Sequence, residues 1–279
     1  MTENKNICLI DFDSAIFYSS KDTIENSIEN LKSRIDYMLE KTKSDRFILF
    51  LTGSRNFRYD LYSEYKANRK TGKPHTLKYL KTLKAYAIEE YLACLIQELE
   101  ADDVVVYYSN KLKNSKVCSP DKDVLNQNLG SNFNYGKDEW VDVTRESADR
   151  FLAWQLLCGD AGDNIPGVKE RTKYMKERFG LDNRAGVGAA TADKILDIID
   201  EKYSSNYASE ILACYNSKYT KTDYPNYTGT EGFEDYTMNR HLLQLNPEIG
   251  RYNKILAEYD IDQHINIVQK EIINETDEF

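Results

Sequence analysis

The chain has 279 residues, of which 41% are hydrophobic and 30% charged, a length that suits one large globular domain or two smaller ones. The mean hydropathy is −0.64 and apolar runs are short, so no transmembrane segment is expected. The five cysteines form no C-x-x-C pair and the three histidines are isolated, which argues against a disulfide framework, a zinc knuckle and histidine-centred chemistry.

Charge is distributed unevenly along the chain. The net charge is −9, yet residues 41–84 carry 12 lysines and arginines against three acids, a local charge of +9. Aromatic side chains are interleaved with these cations, a mixture that suits a polyanion, with cations for phosphates and rings for bases. A solvated basic face is the plain alternative for this segment.

In the first half of the chain, short apolar runs alternate with helical patterns, which is typical of a parallel sheet covered by helices. Four parallel strands are predicted, at residues 7–11, 47–51, 92–97 and 116–119. Helices are predicted at residues 23–41, from about Thr76 and from Glu100, followed by a hairpin over residues 133–143.

A helical region is predicted from Thr144, a good N-cap with Ser147 behind it. Helices are expected at residues 148–158, 189–203, 207–219 and 233–245, with a loop rich in Gly, Asp and Pro at 159–168. We therefore divide the chain into an α/β domain, residues 1–143, and a helical region, residues 144–279.

Acidic residues cluster where predicted strands end or helices begin, the rim at which open α/β sheets bind ligands. Singly, such acids are explained by helix dipoles and turns. Together they would repel one another unless cations neutralised them, and an all-oxygen set favours two Mg²⁺ or Mn²⁺ ions. The acids at these positions are Asp11, Asp13, Glu100, Asp102, Asp103, Asp121, Asp123, Asp160 and Asp163.

Six segments of the sequence, taken in their order along the chain, resemble the flap endonuclease and 5′→3′ exonuclease family, and look most like its short phage members. The segments that carry the resemblance are IDFD from Ile10, FRYDLYSEYKANRK from Phe57, ELEADD from Glu98, SPDKD from Ser119, CGDAGDNIPGV from Cys158 and GVGAATADKIL from Gly186. The resemblance implies a PIN-like parallel-sheet core covered by helices, with a helical hairpin at residues 159–203 that binds DNA. Asp13 lies outside the family pattern. In the family, two divalent ions are surrounded by the acids that match Asp11, Glu100, Asp102, Asp103, Asp121, Asp123, Asp160 and Asp163.

The resemblance also implies roles for basic and turn residues. Residues 55–84 resemble an arch over the active site, in which Lys66 and Arg69 contact the scissile phosphate as catalytic residues. Arg58, Tyr65 and Lys70 are expected to bind substrate, with Tyr65 as a ring that stacks a base. The turn Gly186, Val187 and Gly188 is expected to hold duplex DNA through backbone N–H groups. Read instead as a dinucleotide fingerprint, this turn is weak because no strand precedes it.

Two positions depart from the family pattern. The family usually has an aspartate where this chain has Gly53, so one metal ligand is missing or is replaced by a water, Ser54 or Asp13. An insertion of 17 residues, 169–185, with a net charge of +3, separates the two parts of the hairpin. It leaves open the hairpin geometry and whether a potassium ion binds there.

The expected activity is metal-dependent, structure-specific cleavage of DNA near 5′ ends, as a 5′–3′ exonuclease or flap endonuclease. Two alternatives stay open: a DNA-junction-binding protein with little or no catalysis, and a PIN-type RNA nuclease that removes 5′ RNA primers. The expected partner is DNA with 5′ ends or flaps, or an RNA–DNA hybrid, with no membrane and no small-molecule cofactor. A monomer in the cytoplasm is expected, of a host cell if the chain is phage-encoded.

Overall fold

The computed structural model describes residues 6–71, 78–219, 228–245 and 250–268. The side chains of residues 70, 71, 250 and 251 also lie outside the description. Two sequence predictions therefore fall outside the described residues: the start of a helix near Thr76 and the contacts of the Lys70 side chain.

A central sheet contains the predicted strands. Among the described residues its order is β3-β2-β1-β4-β5-β6, and β1 to β5 run parallel. The last strand, β6, is antiparallel to β5 and forms the predicted hairpin. The strands are β1 (Ile7–Asp11), β2 (Arg46–Asn56), β3 (Cys94–Glu98), β4 (Ser115–Cys118), β5 (Gly130–Asn134) and β6 (Glu139–Val143).

Helices cover both faces of this sheet, because successive side chains of a strand point to opposite faces. Along β1, Ile7 and Leu9 join one apolar cluster while Cys8 and Ile10 join another. The helices of this layer are α1 (Phe12–Ser19), α2 (Ile24–Thr42), α3 (Phe57–Leu61), α4 (Leu80–Tyr91), α5 (Ala101–Lys111) and α6 (Lys122–Gln127). Burial on both faces explains why the strands read as short continuous apolar runs.

The second half of the chain is mainly helical, as predicted. Its first helix begins with a capping box, in which the Thr144 hydroxyl accepts from the Ser147 N–H at 3.1 Å and the Ser147 hydroxyl accepts from the Thr144 N–H. The elements are α7 (Arg145–Cys158), β7 (Gly159–Asp160), β8 (Ile165–Pro166), α8 (Lys173–Phe179), α9 (Ala189–Lys202), α10 (Tyr207–Asn216) and α11 (Glu231–Leu243).

Among the elements that the sequence did not predict are two helices and a strand of the second half of the chain. Helix α8 lies inside the insertion, and its apolar residues Met175 and Phe179 are buried in the core of the helical region. Helix α12 (Gly250–Glu258) packs on the same face of the sheet as α5, and its residues Tyr252 and Leu256 are buried beside the α5 side chains. Strand β9 (Asn266–Ile267) pairs with the start of β2. The division at residue 143 stays a prediction.

No helix within the described ranges combines the length and the apolar character that crossing a membrane requires.

Candidate active site

The carboxyl ends of neighbouring parallel strands bring two acids together. Asp11 is the last residue of β1, and Asp121 is the N-cap of α6, directly after β4. The Ser119 hydroxyl joins them, since it donates to Asp11 Oδ2 at 2.8 Å and accepts from the Asp121 N–H at 3.0 Å. The site therefore begins at the carboxyl end of β1, where the strand order changes direction between β2 on one side and β4 on the other. Open α/β sheets usually bind ligands at this position.

A second group of acids follows β3. Glu100 is the N-cap of α5, and Asp102 and Asp103 lie in the first turn of that helix. One carboxylate oxygen of each lies within 4.8 Å of the others. Because acids in a first helical turn are favoured by the helix dipole, local sequence alone places these side chains at the helix start.

Asp103 and Arg58 form a buried ion pair, which corrects two predictions. Arg58 Nη1 and Nη2 donate to the two Asp103 oxygens at 2.5 and 2.9 Å, and Arg58 Nε donates to the Leu242 carbonyl. Arg58 is 1% exposed and Asp103 0% exposed. Arg58 thus has no surface to offer a substrate, and Asp103 serves as its partner rather than as an open metal ligand.

The loop between β7 and β8 supplies Asp160 and Asp163. Lys122 Nζ pairs with Asp160 Oδ2 at 2.7 Å, and Lys66 Nζ lies 3.7 Å from Asp163 Oδ2 while also pairing with Glu100. Arg69 pairs with the other Asp163 oxygen. The two predicted catalytic cations therefore lie directly on the acidic site.

Backbone contacts hold the basic segment against this loop. The Lys66 N–H donates to the Asp163 carbonyl at 2.8 Å, the Asn68 side chain to the Ala161 carbonyl, and the Asn164 side chain to the Glu64 carbonyl. Lys66 has a φ of 54°, a left-handed conformation that is uncommon for a residue with a side chain. Such conformations persist where surrounding contacts enforce them, as they do here.

Tyr65 does not have the exposed ring that base stacking requires. It is 2% exposed, packed in the core of the helical region, and its hydroxyl lies 2.8 Å from Glu100 Oε2 and 3.1 Å from Asp163 Oδ2. The neighbouring Tyr59 packs edge-on against Tyr65 and is 49% exposed. Tyr59 is therefore the ring in this part of the segment that a base can reach.

The acids of the site raise one another's pKa. Burial, followed by the charges of Asp13 and Asp121, raises the pKa of Asp11 to about 7. Burial, followed by the charges of Asp121 and Asp160, raises the pKa of Asp123 to about 7. The acids that follow β4, Asp121 and Asp123, thus interact electrostatically with Asp160 of the loop between β7 and β8. This interaction indicates that they share one site.

The pKa values of two other acids of the site are lowered because cations lie beside them. Burial alone would raise the pKa of Glu100, but the charges of Arg58 and Lys66 lower it below its usual value. At Asp160 burial is likewise outweighed by the hydrogen bond and charge of Lys122, so its pKa is lowered. The site therefore holds both ionised acids and acids that retain protons in the absence of a further cation.

The position that departs from the family pattern is tightly packed. A Cβ at Gly53 would lie 3.0 Å from Gln97 Oε1 and 3.1 Å from the Ile96 carbonyl oxygen. The Ser54 hydroxyl is bonded to Gln97, whereas Asp13 Oδ2 accepts from the Thr52 N–H at 2.9 Å and Asp13 Oδ1 pairs with Lys84. Of the two residues considered as replacements, Asp13 is the one that contacts β2 near Gly53, through the Thr52 N–H, and it lies two residues after Asp11.

The predicted DNA-binding turn lies at the start of α9. Gly186 has a φ of +71°, and Gly188 is the N-cap of the 14-residue helix without a side chain that caps it. The Val187 N–H donates to the Val168 carbonyl at 3.2 Å, which joins the two ends of the insertion. The insertion thus leaves the two parts of the hairpin in contact.

The donor set fits a hard divalent cation. It consists of carboxylates without histidine or cysteine, and the raised pKa values of Asp11 and Asp123 reflect repulsion that a divalent ion would relieve. The residues that would hold such ions are Asp11, Glu100, Asp102, Asp121, Asp123, Asp160 and Asp163.

Comparison with known proteins shows which families the chain is similar to. Residues 12–145 match the family model described as the 5′-3′ exonuclease N-terminal, resolvase-like domain. This part of the chain therefore resembles a 5′–3′ exonuclease N-terminal domain. The predicted kinship with 5′→3′ exonucleases and flap endonucleases is thereby confirmed.

Relatives of the chain include a flap endonuclease, a 5′-3′ exonuclease and a DNA polymerase I. The flap endonuclease Xni of Shewanella woodyi is 28% identical over 200 residues, covering 61% of this chain and 78% of that protein. The 5′-3′ exonuclease of Buchnera aphidicola is 26% identical, covering 54% of this chain and 58% of its own. DNA polymerase I of Bacillus subtilis is 22% identical across 99% of this chain, which spans only 35% of the polymerase.

Solved structures confirm the predicted fold. The T5 D15 protein, co-crystallised with metal ions, superposes with a TM-score of 0.62 at 18% identity, covering 93% of this chain and 97% of its own. The bacteriophage T5 flap endonuclease in a complex with DNA and metal ions gives a TM-score of 0.52 at 16% identity, covering 84% of this chain and 100% of its own.

Several residues of the exonuclease site were not singled out from the sequence. Ser119 bridges Asp11 and Asp121, and the Gln155 amide donates to Asp123 Oδ1 at 2.8 Å from helix α7. Lys122 and Lys84 add two cations at the rim. Ser119 and Lys122 lie within the SPDKD motif and could have been found there, whereas Gln155 and Lys84 come from distant helices with no local signal.

Proposed function

We propose that the chain is a metal-dependent nuclease that hydrolyses DNA phosphodiester bonds near 5′ ends, as a 5′–3′ exonuclease or flap endonuclease. The observation that carries this proposal is the meeting of the acids from three strand ends and the loop of Asp160 and Asp163 with Lys66 and Arg69. Carboxylates without cations would serve poorly for binding a polyanion, and cations without carboxylates would not hold divalent ions.

Two Mg²⁺ or Mn²⁺ ions, held by the carboxylates, would supply an activated water and stabilise the leaving oxygen. Lys66 and Arg69 hold the scissile phosphate in this proposal, since cations placed in advance stabilise the charge that develops in the transition state. Tyr65 orients Glu100 and Ser119 orients Asp11 through the hydrogen bonds that those carboxylates accept. These supporting bonds keep the acids in place without adding positive charge.

Binding of the substrate is proposed to use two surfaces. The turn Gly186 to Gly188, in which the Val187 N–H is already bonded to the Val168 carbonyl, offers its other backbone N–H groups at the start of α9 to a phosphate of the duplex. The basic segment, with Lys70 within it and Tyr59 as its exposed ring, contacts the strand that ends near the carboxylates. A potassium ion at the hairpin stays a prediction.

A DNA-junction-binding protein with weak catalysis is the second candidate, and the packing at Gly53 favours it. The side chain of an aspartate at Gly53 would press against Gln97 and the Ile96 carbonyl. The carboxylate that the family usually has at this position of β2 is absent. An RNA nuclease that removes 5′ primers differs from the main proposal only in the sugar of the strand that is cut, and comparing RNA and DNA strands separates the two.

The test is digestion of a duplex with a 5′ flap, labelled separately at each end, with Mg²⁺, with Mn²⁺ and with EDTA. Wild-type protein should release short products from the 5′ label only with metal, and Asp121→Asn should bind the DNA without cutting it. Asp142→Asn, an exposed acid on β6, is the matched control and should cut normally. Tight binding by wild type without cleavage under either metal would replace this proposal with the junction-binding one.

A further inference from the structure

The insertion at residues 169–185 is an integral part of the helical region. Thr172 caps α8 by accepting from the Met175 N–H, and the side chains of Met175 and Phe179 are buried. At the far end, Lys194 Nζ of α9 donates to the Gly180 carbonyl at 2.6 Å. The insertion therefore has a defined position beside α9, so that contacts between the two can hold the start of α9 in place.

One arginine of the insertion contacts both sides of the glycine turn. Arg171 Nε donates to the Gly186 carbonyl at 2.7 Å, and Arg171 Nη2 donates to the Thr191 hydroxyl at 2.8 Å. Arg171 Nη1 pairs with Asp182, within the insertion itself. The Arg171 side chain is 7% exposed, so its charge is directed at these partners and not at solvent.

The turn Gly186 to Gly188 needs the support that the Arg171 side chain gives it. Val187 is buried and its N–H bonds to the Val168 carbonyl, but Gly186 adopts a positive φ and nothing lies within 4 Å of a Cβ built on Gly188, so the two glycines have no side-chain packing of their own. Glycine gains more conformational freedom than other residues when contacts are lost. The guanidinium group is planar and its donors are rigidly arranged, so one Arg171 side chain fixes the Gly186 carbonyl relative to the first turn of α9.

We infer that Arg171 is a positioning residue, which holds the Gly186 to Gly188 turn in the orientation that binds a phosphate of duplex DNA. This inference rests on the proposed function, because it assigns a device to the duplex-binding turn. Arg171 does not contact the phosphate itself, since its side chain is buried and each of its three guanidinium nitrogens donates to a partner within the protein. Its loss therefore lowers affinity for duplex while leaving the chemistry at the carboxylates intact.

The test compares Arg171→Gln with two arginine controls from the same insertion. Arg178→Gln removes a cation that pairs with Glu210 and lies 3.8 Å over the Tyr203 ring, away from the turn. Arg184→Gln removes an exposed cation that pairs with Asp182. Each variant has the same change in charge, so a difference between them reports the contact with the turn.

Three quantities are measured for each variant: Kd for blunt duplex in EDTA, Kd for single-stranded DNA in EDTA, and kcat on the 5′ flap at saturating substrate. Arg171→Gln should raise the duplex Kd about tenfold, with the single-strand Kd and kcat within about twofold of wild type. The two controls should leave the duplex Kd near that of wild type. Arg171→Lys, which can reach one partner at a time, should recover part of the loss.

An unchanged duplex Kd in Arg171→Gln, or an equal loss in Arg178→Gln, overturns the inference. If Arg171→Gln unfolds at the assay temperature, Thr191→Val takes its place, since it removes one anchoring hydroxyl at nearly constant volume, and an unchanged duplex Kd there overturns the inference too. Failure of the proposed function is distinguishable, because it would appear as absence of metal-dependent cleavage in the wild-type protein.

Discussion

Lys66 is bound twice to Asp163: its main-chain N–H donates to the Asp163 carbonyl at 2.8 Å, and its ammonium group lies 3.7 Å from the Asp163 carboxylate. The main-chain bond fixes where the side chain begins, and the carboxylates determine where it ends. Burial would lower the pKa of Lys66, but Glu100 and Asp163 outweigh it and raise the pKa, so the ammonium group stays charged at neutral pH.

Lys66→Ala should lower kcat by about 100-fold with a much smaller effect on DNA binding, because the cation acts on charge that develops in the transition state. The measurement is single-turnover cleavage of a 5′ flap together with the Kd in EDTA. Lys113→Ala, an exposed lysine just before β4 at the opposite edge of the sheet, is the control and should behave as wild type. An unchanged cleavage rate in Lys66→Ala would remove it from the catalytic residues.

Arg58→Ala should destabilise the protein by about 3–5 kcal/mol, because it leaves Asp103 buried without its cation. The free energy of unfolding in urea measures the effect. Arg55→Ala breaks an exposed pair with Asp60 at 2.8 Å and should cost about 1 kcal/mol or less. Equal losses in the two variants would contradict the structural role assigned to Arg58.

Stability and metal binding should depend on pH in opposite directions. Asp11 and Asp123 have pKa values of about 7 in the folded protein against 3.8 when unperturbed, so the folded state binds more protons between these values. Their contribution to stability is therefore lost as pH rises from about 4 through 7 in EDTA. Since Mg²⁺ binds the ionised acids, the increase in Tm that it produces should grow over the same range. Thermal unfolding at pH 5, 6, 7 and 8, with and without Mg²⁺, checks this, and a Mg²⁺ effect independent of pH would contradict it.

Tyr59→Ala should weaken single-strand binding by about 1–3 kcal/mol, the usual worth of one stacked base. Tyr65→Phe keeps the buried ring and removes the hydroxyl beside Glu100, so it should leave single-strand binding unchanged while lowering the cleavage rate. Fluorescence anisotropy with a single-stranded oligonucleotide measures binding. A loss of affinity in Tyr65→Phe equal to that in Tyr59→Ala would show that this distinction between the two rings is wrong.

Local chemistry determined much of this protein. The apolar runs predicted the strands, the Thr144 and Ser147 pair predicted the start of α7, and acids at the ends of parallel strands predicted one shared site. The strand and capping predictions succeed because the side-chain periodicity of a strand and the capping of a helix are properties of short segments, whereas the shared site stays a prediction that rests on the common edge of parallel strands.

Only the tertiary structure decided which side chains of a motif face the site. Arg58 and Tyr65 lie within the basic segment, yet Arg58 turns inward to Asp103 and Leu242, and Tyr65 is buried among helices that follow much later in the chain. Helix α8 and the contacts of Arg171 were likewise absent from any local pattern. Whether a cation reaches solvent, a buried carboxylate or a distant carbonyl depends on partners far away in sequence, and folding alone brings those partners together.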